Sequence, residues 1–373
     1  MSSALRPVLF VLLLLLPGQS LAAESHIAEL KAVGGQVWLI IPPSKTEVAA
    51  TAPQPLLAGT RIRTGPESSA ELVFPDGSLL TIRSNSAMQL SPHKRRAKAK
   101  SSVLLFFGRV WNKVVKAVGA ENSYEITTAN AVCGVRGTEF ETAVGEDGTV
   151  RVRVLEGAVS VAGDSNENLL RAGSEAQANE AGVGESRKVS PKPRWRAWNQ
   201  AKLRRFGQQA RPIIDGFKKS TQYRQQRIES LRKKQAKLVD AHKHAQDRLQ
   251  MGDPRAADDI RRIKAELNAV ADQLADQGDR IAAQAGLVDR FADLAADPRF
   301  KMIDRKYLEL EAENLRKVQK TLDNLVREGM DISAAAMDDL MKEMRHDRGR
   351  LKDKKGSSMD DLFGPGDKDL DFR

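Results

Sequence analysis

Over residues 57–82 apolar and polar positions alternate with a period of two. Ala70, Leu72 and Phe74 stand before Pro75-Asp76-Gly77, and Leu80 and Ile82 stand after it. That period places one set of side chains on one face of a strand. The Asp-Gly pair accepts the positive φ values of a tight hairpin turn. Gly59 and Gly65 bracket a third strand, 60–64. Similar short runs recur through residues 27–178, as in Val150-Arg151-Val152-Arg153-Val154 and Ala158-Val159-Ser160-Val161, between turn signals such as Gly108, Gly137, Asp147-Gly148 and Gly157. The pattern predicts an all-β unit, a sandwich, barrel or β-solenoid. Phe74, Leu80, Ile82, Val110, Phe140 and Val152 are expected in one core. Residues 93–100 read as a basic hairpin tip or loop.

Beyond 178 the pattern changes. Residues 179–193, with Gly182, Gly184, Pro191 and Pro193, read as a linker. From 194 to 352 Ala, Leu, Lys, Arg, Gln, Asp and Glu dominate, as in long helices. Met251-Gly252-Asp253-Pro254 is a stop followed by a start signal, Asp297-Pro298 is another start, and Gly329 marks a further boundary. Helices are expected near 195–210, 213–250, 254–296, 298–328 and 333–352, with a disordered tail over 353–373. Ile260, Ile263, Leu267, Val270 and Leu274 step 3-4-3-4, and the register continues through Gln277, Ile281, Gln284, Val288 and Phe291. Gly278 and Gly286 weaken it. Leu308, Leu315, Val318, Leu322 and Leu325 repeat the pattern. Such narrow stripes suit antiparallel or coiled-coil helices.

The first 22 residues read as an export leader. Arg6 precedes the apolar run Val8–Leu16, and Ser20-Leu21-Ala22 is a small-x-small cleavage signal. Nine apolar residues fall short of the roughly 20 that a bilayer core requires. No Cys follows the run, so a lipid anchor is not expected. The single cysteine, Cys133, forms no internal disulfide and reads as a buried strand residue. The net charge of +11 is uneven: residues 194–250 hold 16 Lys and Arg against 4 Asp and Glu. A polyanionic partner would be sought there.

Several ordered blocks resemble the FecR domain, the periplasmic part of bacterial envelope signalling proteins. They are Gly35-Gln36-Val37-Trp38, the run 57–82, Gly108-Arg109-Val110-Trp111, and Thr127-Thr128-Ala129-Asn130-Ala131-Val132-Cys133-Gly134-Val135-Arg136-Gly137-Thr138-Glu139-Phe140, in which Ala129 replaces the usual Pro. Val154–Val161 and Leu170-Arg171-Ala172-Gly173 complete the match. The likeness covers about 33–178. It implies an all-β domain that binds other proteins and carries no catalytic residues. In the best-known members a cytoplasmic segment controls a sigma factor through a transmembrane helix. An export leader stands in that place here.

Candidate chemistry is sparse. Arg136, Gly137 and Thr138 form the family's most specific motif and read either as a turn or as an interaction site. Trp195 and Trp198 lie among arginines, so they suit either packing on the β unit or contact with anionic lipid. Lys218, Lys219, Lys233 and Lys234 could meet a polyanion or complement acidic residues such as Glu309, Glu311 and Glu313. His26, His93, His242, His244 and His346 lack metal-ligand spacing and read as solvated. No nucleophile motif, phosphate loop or cofactor signature occurs. The leading expectation is a non-catalytic periplasmic interaction protein whose partner is another envelope protein, with self-association through helices. The alternative is an envelope-surface binder holding anionic lipid or wall polymer. Nucleic acid is not an expected partner.

Overall fold

The structure is a computed structural model that describes residues 26–93, 100–116, 123–135, 137–191, 193–297 and 305–353. The expected leader at 1–22, Arg136, most of the basic loop at 93–100 and all but the first residue of the expected tail lie outside these residues. The β unit contains β1 (Ala28–Gly34), β2 (Val37–Ile40), β3 (Val48–Ala49), β4 (Gln54–Leu56), β5 (Arg61–Thr64), β6 (Ser69–Val73), β7 (Leu79–Ile82), β8 (Ala87–Leu90) and β9 (Lys100–Lys113). These are followed by β10 (Ser123–Thr127), β11 (Val132–Val135), β12 (Glu139–Val144), β13 (Val150–Glu156), β14 (Ala158–Ala162), β15 (Glu167–Arg171), β16 (Ser174–Asn179), β17 (Gly182–Val183) and β18 (Arg187–Lys188). Strands β4-β1-β6-β7-β9-β12-β13-β16 form a first sheet, with β17 and β18 both on the outer edge of β16. Strands β3-β2-β5-β8-β9-β10-β11-β14-β15 form a second. Only β9–β10 is parallel among these pairs.

The two sheets face each other over one core, as the period-two pattern demands. Phe74, Leu80, Ile82, Val110, Phe140 and Val152 all lie in it. Strand β9 serves both sheets, its first half beside β8 and β10 and its second half beside β7 and β12. The bend falls at Gly108, whose φ is +93° and where a Cβ would collide with Ser86. The chain crosses between sheets again at Gly137 (φ +63°) and Gly157 (φ +80°). These two corners stack, because a Cβ on Gly157 would lie 2.8 Å from the Gly137 carbonyl oxygen. Only glycine tolerates such geometry without strain.

Part of the expected linker joins the first sheet. Beyond the pairing of β17 and β18 with β16, the Val189 amide donates to the Gly173 carbonyl at 2.8 Å. Among the described residues three helices replace the five expected: α1 (Trp195–Gln250), α2 (Ala256–Ala296) and α3 (Arg305–Asp353). Pro212 kinks α1 at Gln209 (φ −128°, ψ 28°) without ending it, because proline removes only one helical hydrogen bond and crowds the preceding turn. Helix α3 runs straight through Gly329. That glycine is a packing point: a Cβ there would lie 2.7 Å from Leu274 Cδ1.

The heptad seams close within the chain. Ile263, Leu267, Val270, Leu274 and Ile281 of α2 are buried against α1 residues such as Ile228 and Leu231 and α3 residues such as Leu322 and Val326. The expected α3 stripe splits. Leu308, Ala312, Leu315, Gln319, Leu322 and Val326 face inward, whereas Val318 is exposed. Self-association through the α2 seam is therefore not available, since that seam is filled.

Candidate interaction surfaces

The structure separates the residues that the sequence singled out. Gly137 is the corner just described. Thr138 is buried, and its hydroxyl donates to the Ala158 carbonyl at 3.0 Å. Trp195 lies on the first sheet, its ring under the guanidinium groups of Arg109, Arg151 and Arg153 at 4.7, 5.1 and 5.6 Å. Trp198 meets Trp195 edge-on at 5.9 Å. Lys218 pairs with Glu311 at 2.7 Å and Lys234 with Glu266 at 3.4 Å. Lys219 and Lys233 are exposed. Of these four lysines, Lys218 meets the acidic helix at Glu311, and Lys234 pairs at the surface with Glu266 of α2.

The arginines under Trp195 belong to a buried chain of charges. Arg109 and Arg153 both pair with Glu141, at 2.8 and 2.6 Å, and Arg151 pairs with Glu175 at 2.7 Å. The Arg-Val-Arg alternation of β13 points valine into the core and arginine toward α1, so the polar face is covered. Burial lowers the Arg109 guanidinium from its ordinary value, and Glu141 opposes that shift. Ten residues beyond Trp195, Arg205 joins Asp147 at 3.0 Å and also pairs with Glu180.

A second cluster fastens α2. Asp279, fully buried, accepts hydrogen bonds from Ser91 Oγ (2.8 Å) and Ser102 Oγ (3.1 Å), and His93 Nδ1 lies 2.7 Å from it. His93 is therefore not a solvated histidine. His242, at 5% exposure, is not solvated either. A third cluster joins Arg224 and Arg280 to Asp164, each at 3.2 Å. Burial pulls the Arg224 guanidinium down to about 10, with Asp164 opposing. Between these clusters the α2 glycines act as notches. A Cβ at Gly278 would lie 2.6 Å from the His93 ring, and one at Gly286 would collide with the Phe106 ring. The sequence flagged these glycines only as weak points of a heptad. Asp279, Asp164 and Glu141 carried no local signal, because their partners lie 12 to 188 residues away.

Among the described residues, two open regions lie beside the clusters just described. On the outer face of the first sheet, Glu71, Thr81, Trp111 and Glu141 are cross-strand neighbours in one row, and Val73 and Leu79 pair in the next. Trp111, Thr81, Leu79 and Val73 are half-buried. A polar cleft of about 290 Å³ lies where the arm leaves the second sheet, lined by Glu125, Arg227, Gln273, Asp276 and Arg280 among others. Among the described residues no cluster of three or more His, Cys, Asp or Glu side chains is placed to hold a metal ion. Also among them, no helix is long and apolar enough to cross a membrane.

No curated protein matches the chain. Two crystal structures of a candidate anti-sigma factor from Parabacteroides distasonis ATCC 8503 are similar at 19% identity and a TM-score of 0.31. The alignment covers 38% of this chain and 64% of that one, so this chain spans less than two thirds of that protein's length. The family model described as FecR protein matches residues 60–160, from β5 into β14. The matched block holds all three glycine corners and the Gly137-Thr138 motif. Residues 60–160 are a FecR domain, set within a larger β sandwich, and the three-helix arm lies outside it.

Proposed function

We propose that this chain is a non-catalytic periplasmic protein that works in envelope signalling by binding other proteins, with residues 1–22 removed on export. A FecR domain supports a regulatory, non-enzymatic role. The observation that carries the reading further is the way the helices dock. Trp195 at the start of α1 covers the part of the outer face at Arg109, Arg151 and Arg153, and the rest of the arm packs on β9 and β10 and on the turns at Asp147 and Asp164. The outer face around Trp111, Thr81, Leu79 and Val73 stays open for a partner. Half-buried tryptophan among aliphatic and threonine side chains, rimmed by charge, is the composition of an interaction hot spot.

The test is capture from envelope extracts with the full chain. An envelope protein is expected to co-purify. Trp111→Ala should weaken that capture by roughly thirtyfold, about 2 kcal/mol, with the melting temperature barely moved. The competing reading, a polyanion binder, rests on exposed Lys219 and Lys233. It predicts binding that ignores Trp111→Ala, falls with Lys219→Glu and Lys233→Glu, and weakens steeply with salt. That pattern would replace the first reading.

A further inference from the structure

Polar residues interrupt the apolar core of the arm at two levels, and the two levels differ. The inner one lies between the root cluster, with Phe217, Leu287 and Leu315, and the distal cluster, with Ile228, Ile281 and Leu322. Arg224 of α1, Gln284 of α2 and Gln319 of α3 stand there, at 1%, 0% and 2% exposure. Neighbouring contacts put them level. Lys218 with Glu311, and Arg232 with the Leu325 carbonyl, set Arg224 level with Gln319 along the parallel helices α1 and α3. Arg316 with Asp289, and Gly329 against Leu274, set Gln319 level with Gln284 along antiparallel α2. Ser220 Oγ accepts from both Gln284 Nε2 (2.9 Å) and Arg224 Nη2 (3.1 Å). Yet Arg224 Nε and Nη1, Gln284 Oε1 and both amide atoms of Gln319 have no partner among the described residues. The outer level is satisfied. Gln235 of α1, 1% exposed, donates from Nε2 to the Gly329 carbonyl and to Ser333 Oγ of α3.

We propose that the inner polar level is a built-in opening plane, at which the distal arm opens as one unit while the root stays docked. A polar atom buried without a partner is costly, and opening returns these atoms to water. The root side does not yield, because Arg205, Arg224 and Arg280 hold Asp147 and Asp164 of the sandwich. The distal side keeps its coherence through the heptad seam and the paired Gln235. Opening is a minor excursion from the closed state, at a free energy below that of global unfolding. It uncovers Ile228, Leu231, Leu274 and Leu322, which the closed arm buries.

Native-state amide exchange of the full chain tests this. Amides of the distal parts of α1, α2 and α3 should share one opening free energy, and those of α1 before Arg224 should exchange more slowly. Two glutamine-to-leucine substitutions should then act with opposite signs. Gln319→Leu removes two unpaired atoms and should slow distal exchange by about tenfold, with the root unchanged. Gln235→Leu strands the Gly329 carbonyl and Ser333 and should speed distal exchange by about tenfold. Unchanged helicity by circular dichroism shows that each variant folds. Distal exchange that Gln319→Leu speeds or leaves alone would mean that the level is already satisfied in the folded chain, and the proposal would fail. Equal protection of root and distal amides in the unsubstituted chain, or the same sign for both substitutions, would also overturn it.

Discussion

The arm has two halves built on different physics. Its distal half, α1 beyond Arg224 with the facing parts of α2 and α3, is held by leucine and isoleucine in heptad seams. It projects for about 40 Å along α1. Its root has an apolar cluster of its own, with Phe206, Ile213, Phe217, Leu287 and Phe291, that reaches Ala129 of the sandwich, and to this it adds buried charge clusters and glycines that admit side chains from the other unit. A heptad seam is modular and can melt locally. A notched, charged interface requires both partners in place, because a buried charge without its partner is costly. The root therefore belongs energetically to the β domain, although its sequence looks like the rest of the arm.

Several substitutions separate the two halves, beginning with the largest effect. Phe74→Ala removes a core ring that meets Tyr124 edge-on at 5.4 Å and should cost about 3–5 kcal/mol. Because the root depends on the sandwich, root and sandwich should melt together in one transition. Separate loss of the sandwich alone would argue against the shared unit. Leu274→Ala should cost about 2–4 kcal/mol, seen as faster amide exchange confined to the distal arm. Acceleration spreading into β9 would contradict the division.

Asp279→Ala leaves Ser91, Ser102 and His93 without their shared acceptor and should cost about 1–3 kcal/mol. Exchange should rise at the root and in the neighbouring part of β9, with the distal seam unaffected. An effect confined to the distal arm would show that this cluster is not a fastener. The smallest effect concerns Cys133. Burial pushes its thiol up to about 12, so the folded chain should resist thiol reagents at pH 8 and react only on unfolding. The native state keeps its proton while the unfolded thiol loses it near pH 9. Stability from this group is thus complete below pH 9 and declines toward pH 12. Prompt labelling of the folded chain at pH 8 would rule out the buried placement.

These halves also differ in what the sequence revealed. Period-two alternation identified the core strands and the burial of Phe74, Phe140 and Val152. Heptad spacing identified the α2 seam. Both are local signals. The root was hidden because each of its contacts joins residues far apart in sequence. Gly278 and Gly286 read as helix weaknesses because the rings that fill the notches, His93 and Phe106 of β9, come from far away in the sequence. The cover over Arg151 and Arg153 was not legible, because nothing nearby announces that Trp195 lies on them. Gly329 reads as a helix end because its packing neighbour Leu274 was invisible, and Pro212 because a kink that the helix survives looks like a break. Of the candidate interaction residues, Trp195 and Lys218 are engaged within the chain, and Trp111 emerged only once the sheets showed which face stays open.

The central claim is that sandwich and arm form one body. Spin labels at Val48→Cys on the sandwich and Met251→Cys at the arm tip test it directly, since both positions are exposed and buried Cys133 stays unlabelled. With doubly labelled chain diluted in unlabelled chain, the distance distribution between labels should be single and narrow, and Asp279→Ala should broaden it. A broad distribution in the unmodified background would mean that the arm swings on a tether, and the account would fail.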